Sequence, residues 1–83
     1  MMIQIFTDRN ETCTEACKML DERMIVFQKY EAHRHKEVCR NSLLRSGSSD
    51  FPVLRAGSEK ESKSTYVSGL EVLSFIRDLE FGG

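Results

Sequence analysis

The sequence predicts an α/β domain in which one sheet carries helices on both faces. Three observations lead there. Short apolar runs of strand length alternate with segments whose apolar residues recur at i, i+3, i+4 and i+7, the spacing of a helix face. The links between them are short, so consecutive elements must pack as neighbours. The chain has 83 residues, close to the lower limit at which one apolar core offsets chain entropy, which leaves room for a single domain over residues 1–83.

The elements follow in order. Met2-Ile3-Gln4-Ile5-Phe6 is a β-branched and aromatic run that ends at the polar stretch Thr7 to Thr12, and reads as a buried strand. Thr12-Cys13-Thr14-Glu15 has the Thr-x-x-Glu form of a capping box, which predicts a helix starting at Cys13. Along that helix Cys13, Ala16, Cys17 and Leu20 share one face. Met24 to Tyr30 reads as the second strand. A β-α-β connection this short implies a parallel, right-handed crossover. From His35 to Ser46 the stripe Val38, Cys39, Ser42 and Leu43 predicts a second helix, which Gly47 is placed to end. A strand around Pro52 to Arg55, a polar hairpin connection from Ala56 to Ser64 and a strand at Thr65 to Val67 come next. The last helix is expected from about Gly69 to Glu80, with Leu70, Leu73, Ile76 and Leu79 facing inward. Glu59 to Lys63 reads as a solvated loop tip.

Composition narrows the function. Twelve basic against 13 acidic side chains give a net charge of -1, which argues against a duplex nucleic-acid binder needing a surplus of Lys and Arg. No window approaches the roughly 18 apolar residues of a membrane span, and the first residues lack the basic start and apolar run of a signal peptide. The expectation is a soluble, cytoplasmic protein. Three cysteines are too few and too irregularly spaced for a secreted disulfide framework, so thiol chemistry, metal binding or plain burial are the alternatives.

Cys13 is the candidate of most interest. At the start of a helix, free amides and the positive end of the helix dipole favour the thiolate, and Arg9 adds a second positive influence. Glu11 and Glu15 act in the opposite sense. Cys13 is therefore either a nucleophile or an ordinary exposed thiol. Cys17, one turn on, is either a resolving thiol or a small apolar residue at the margin of the core. Cys39 reads as core. Together with His33 and His35 the three cysteines could hold zinc, but their spacing is unlike that of structural zinc knuckles, and no metal site is expected. The plainer reading of His33 and His35 is a solvated strand-to-helix corner, forming with Arg34, Lys36 and Arg40 a basic patch that receives an anion. Pro52, the one proline, marks either a sheet edge or a cis peptide bond beside a site.

These residues resemble the glutaredoxin branch of the thioredoxin fold over nearly the whole chain. Ile3 to Thr7 is similar to the family's first strand, Cys13 to Glu22 to its first helix with a reactive cysteine at the start, and Ile25 to Glu31 to its second strand. Asp50-Phe51-Pro52-Val53-Leu54 resembles the Thr-Val-Pro segment whose proline is cis, and Val67 to Leu73 the turn into the last helix. The resemblance implies a mixed four-stranded sheet of order 2-1-3-4 and a thiol-disulfide oxidoreductase. Its Cys13 thiolate would attack a protein or glutathione mixed disulfide, with Cys17 as the candidate second thiol. It further implies glutathione as a co-substrate, its backbone paired to Phe51 beside Pro52 and its carboxylates met by Arg9 and by Ser68 and Gly69, with Thr12 beside the cysteine. No tightly bound cofactor is implied. The partners would be glutathione or a thioredoxin-reductase-like reductant and a disulfide-containing protein, and the protein would act as a monomer.

The chain differs from the family signature Cys-x-x-Cys in having Cys13-Thr14-Glu15-Ala16-Cys17, with Ala16 at the resolving position. The loop before Cys13 is about two residues longer than in the family, and a gapless alignment places Glu11 at the nucleophile position. Two other functions therefore stand beside the enzyme. One is a redox-inactive module of the same fold that binds a protein partner through the Pro52 groove and the basic corner. The other is a carrier of iron-sulfur or zinc held by Cys13.

Overall fold

A computed structural model describes residues 2–57 and 64–79. The element order is β1 (Met2–Thr7), α1 (Glu11–Glu22), β2 (Gln28–Glu31), α2 (Lys36–Ser46), β3 (Val53–Gly57), β4 (Ser64–Ser68) and α3 (Leu70–Asp78). The strands form one sheet in the order β2-β1-β3-β4. β1 runs parallel to β2 and antiparallel to β3, and β3 runs antiparallel to β4. This is the expected α/β architecture with a thioredoxin-like topology.

Period-two alternation along the central strands divides the core into two layers. Ile3 and Ile5 of β1 lie opposite Ala56 and Leu54 of β3. With Ala16 and Leu20 from α1 and Val72 and Ile76 from α3 they form the larger cluster. Phe6 and Val53, the next pair along, face the other way and pack with Cys39 of α2. Each fully buried side chain such as Ile5, Leu20, Leu54 or Ile76 contributes on the order of 1.5–3 kcal/mol of transfer free energy. The sheet is thus clamped between α1 and α3 on one side and α2 on the other.

Several boundaries differ from the sequence expectations, each for a physical reason. α1 begins at Glu11 rather than Cys13, because Asn10 and not Thr12 is its N-cap. Asn is at least as good a cap as Thr, and here it makes a second contact described below. β2 starts at Gln28 rather than Met24. The amides of Met24 and Ile25 bond the carbonyls of Asp21 and Leu20 at 3.0 Å each, so these residues complete the end of α1 instead of entering the sheet. Met24 takes a left-handed φ of 57° and is 89% exposed. Gly47 ends α2 in the left-handed region as expected, with φ of 71°. Val38, expected on the inner stripe of α2, is exposed; the helix buries only Cys39 and Ser42. Leu70, expected on the inner side of α3, is 73% exposed. The turn at Gly69, with φ of 59°, sets the phase of α3 so that Val72 and Ile76 fill the core, with Leu73 and Leu79 packed beside them. The expected loop tip at Glu59 to Lys63 lies outside the described residues, and α3 ends at Asp78, with Leu79 as its C-cap in extended backbone, rather than at about Glu80. Among the described residues no helix is long and apolar enough to cross a membrane.

Candidate functional site

The candidate site is where the β1–α1 loop meets the turn before β3. The β1 strand delivers Asp8, Arg9 and Asn10 directly to the start of α1. The Asp8 carboxylate accepts the Asn10 backbone N–H at 2.9 Å, which folds the loop into an Asx-type turn. Asn10 then does two jobs with one amide. Its Oδ1 accepts the Cys13 backbone N–H at 2.8 Å, capping the helix, and its Nδ2 donates to the Phe51 carbonyl at 2.9 Å. The Phe51–Pro52 peptide bond is cis and Pro52 is fully buried. Pro52 in turn accepts the Gly69 amide at 2.8 Å, and Ser68 lies opposite Val53 in the sheet. Asn10, Phe51, Ser68 and Gly69 are therefore drawn together around the buried Pro52.

Cys13 lies inside this arrangement rather than at its edge. It is the third residue of α1, 3% exposed, and its thiol donates to the same Asp8 carboxylate at 3.5 Å. Burial, reinforced by the Asp8 side chain, pushes the Cys13 thiol from 9.0 up to about 11; the Asp8 and Asn10 backbone amides pull the other way and do not prevail. This runs against the expectation of a thiolate favoured by the helix start: desolvation of the buried sulfur outweighs the backbone amides that favour the charge. Arg9 is exposed and Thr12 is half-buried inside the first turn.

Cys17 is half-buried and opens, with Cys13, on a recess of about 160 Å³ that Asp8, Arg9, Lys29 and Glu31 also line. Burial raises its pKa and the positive charge of Lys29 opposes the rise. All three cysteines are free thiols. Cys39 belongs to the other layer, where its thiol faces the Tyr30 carbonyl at 3.7 Å and burial raises its pKa. His33 lies 3.4 Å from Glu31, and His35 stacks edge-on against Tyr30 with ring centroids 5.5 Å apart. Among the described residues no group of three His, Cys, Asp or Glu side chains is placed to hold a metal ion.

The residues that sequence reasoning passed over are Asp8 and Asn10. One signal was available: Asn10 is a strong N-cap type followed at once by an acidic residue, the usual opening of a helix. Comparison of the chain with protein-family models and with curated proteins finds no match.

Proposed function

We propose that the chain is a binding module built on the thioredoxin fold, which recognises a protein partner through the surface of Asn10, Phe51, Ser68 and Gly69 and keeps its thiols protonated at neutral pH. One observation carries this reading. The helix start that would have to present a nucleophile presents Asn10, while Cys13 sits covered behind it with its thiol donating a hydrogen bond to Asp8. A thiol with a pKa of about 11 is ionised to only about one part in ten thousand at pH 7, a hundredfold less than a thiol at 9. The Phe51 carbonyl, which the resemblance assigns to the backbone of glutathione, is already bonded to Asn10, and this removes one contact on which glutathione use would depend. Arg9, Asn10 and the half-exposed Phe51 remain available to side chains of a partner.

A second reading, thiol-disulfide exchange, is favoured by one specific feature: Cys13 and Cys17 open on the same recess beside Lys29. Reduction of a glutathione mixed disulfide separates the two. The binding reading expects the wild type and Cys13→Ser to be equally inactive. It also expects Asn10→Cys, which restores a Cys-x-x-Cys spacing with Cys13 at the helix start, to gain activity and so validate the assay. Wild-type turnover that is lost in Cys13→Ser would overturn it in favour of the enzyme. Recognition itself is read by selecting displayed peptides on the folded domain, where specific binders should lose affinity for Arg9→Ala and Phe51→Ala.

A further inference from the structure

The opposite layer of the molecule holds a cavity of about 310 Å³ between α2 and the sheet. Its origin lies in the sequence of α2. The helix meets the sheet through two small side chains, Cys39 and Ser42, and so leaves space beside them. Sheet alternation places Gln4, Phe6, Arg55 and Tyr66 on that side, and Arg45 lines the cavity from the helix.

The polar groups in this space are held in advance. The Arg55 guanidinium donates through Nη1 to the Gln4 side-chain oxygen at 2.9 Å and through Nε to the Ser64 hydroxyl at 3.0 Å. Gln4 donates in turn to the Gln28 side-chain oxygen at 3.0 Å, which also accepts the Tyr30 hydroxyl at 3.2 Å. Every partner in this chain is neutral. No carboxylate lines the cavity among the described residues, and none of their ion pairs involves Arg45 or Arg55. In a protein of net charge -1, the half-buried Arg55 and the more exposed Arg45 thus line one half-enclosed space with no countercharge among the described residues. A partly desolvated guanidinium gains most from a charged acceptor that can take two of its N–H groups at once. Three aromatic side chains share the lining with Val38, Asn41 and Ser42: Phe6 and Tyr30 stack with centroids 5.2 Å apart, and Tyr66 lines the same space.

We infer that this cavity binds a small anion borne on a planar ring, either an aromatic carboxylate or a nucleoside monophosphate. Arg45 and Arg55 take the anionic group and the aromatic lining takes the ring. The site is independent of the thiol loop, which lies against the other layer, and does not rest on the partner-binding reading.

The test is an NMR titration of the nitrogen-15-labelled full chain at low salt with adenosine monophosphate, with 4-hydroxybenzoate and with neutral adenosine. Saturable shifts of the Gln4, Arg55 and Tyr66 amides are expected with at least one of the anions, and the tighter of the two identifies phosphate or carboxylate as the group preferred. Adenosine should bind at least about tenfold more weakly than its monophosphate if that is the ligand. Arg45→Gln, a change at an exposed helix position, should weaken binding about tenfold with the rest of the spectrum unchanged; Arg55→Gln should abolish it. The inference is overturned if neither anion gives saturable shifts up to several millimolar, if adenosine matches its monophosphate, if Arg45→Gln binds like the wild type, or if the shifts centre on His33 to Lys36 instead.

Discussion

Asn10→Ala removes the one side chain among the described residues whose hydrogen bonds tie the helix start to the cis-proline turn. Two hydrogen bonds go with it, the cap on the Cys13 amide at 2.8 Å and the bond to the Phe51 carbonyl at 2.9 Å. Loss of an Asn cap costs about 1 kcal/mol, and loss of a partly exposed amide-to-carbonyl bond about another 1 kcal/mol. The sum, about 2 kcal/mol, is a large share of the stability expected of a domain this size and corresponds to a fall in Tm of about 10 °C. Urea unfolding followed by circular dichroism should show the midpoint falling by roughly 1–2 M with the slope unchanged. Asn10→Ser separates the two contributions, because serine caps the helix but cannot reach Phe51, and should lose about half as much. A loss below about 0.5 kcal/mol for Asn10→Ala would refute the bridging role. Equal losses for Ser and Ala would show that the contact to Phe51, and not the cap, carries all of it.

Further outcomes follow from neighbouring residues. Asp8→Asn removes the carboxylate that accepts the Cys13 thiol hydrogen bond and disfavours its thiolate, so the Cys13 pKa should fall while remaining above 9 because burial persists; the pH dependence of Cys13 alkylation measures it. Val72→Ala should cost about 2 kcal/mol in chemical denaturation, whereas Leu70→Ala should stay within about 0.5 kcal/mol, since Val72 is fully buried and Leu70 is 73% exposed. Met24→Gly should raise stability by about 0.5–1 kcal/mol, because glycine adopts the left-handed φ of 57° without the cost that a Cβ imposes, and the exposed Met24 side chain contributes little packing; a lower Tm would contradict this.

The fold could be read from the sequence where local pattern and long-range packing agree. Ile3 and Ile5 alternate with Gln4 and Phe6, and the two sets do go to opposite layers. Gly47 ends α2 where a residue free to take a positive φ was needed. The reading failed where one local signal had two outcomes. At Met24 to Phe27 the alternation is real, with Ile25 and Phe27 against the core and Met24 and Val26 exposed. Yet the amides at 24 and 25 belong to the end of α1, and alternation of side chains says nothing about where amides bond. At the helix start, Asn10 and Thr12 are both capping residues two positions apart. The choice between them is settled by Phe51, 41 residues away, a contact that no local pattern displays. Moving the start by two residues makes Cys13 the third residue of the helix instead of the first, under cover and hydrogen-bonded to Asp8. A small shift in an element boundary therefore changes the surroundings of the thiol from an exposed helix start to a covered position beside Asp8.

The central claim is that Cys13 is a protonated thiol at neutral pH. The most direct test is the rate of iodoacetamide alkylation at Cys13 as a function of pH, resolved from Cys17 and Cys39 by peptide mass spectrometry on the native protein. The account predicts slow modification at pH 7 and a rate that climbs through pH 9 toward a midpoint near 11. A plateau already reached by about pH 8, the behaviour of a thiol ionised below the usual range, would contradict it.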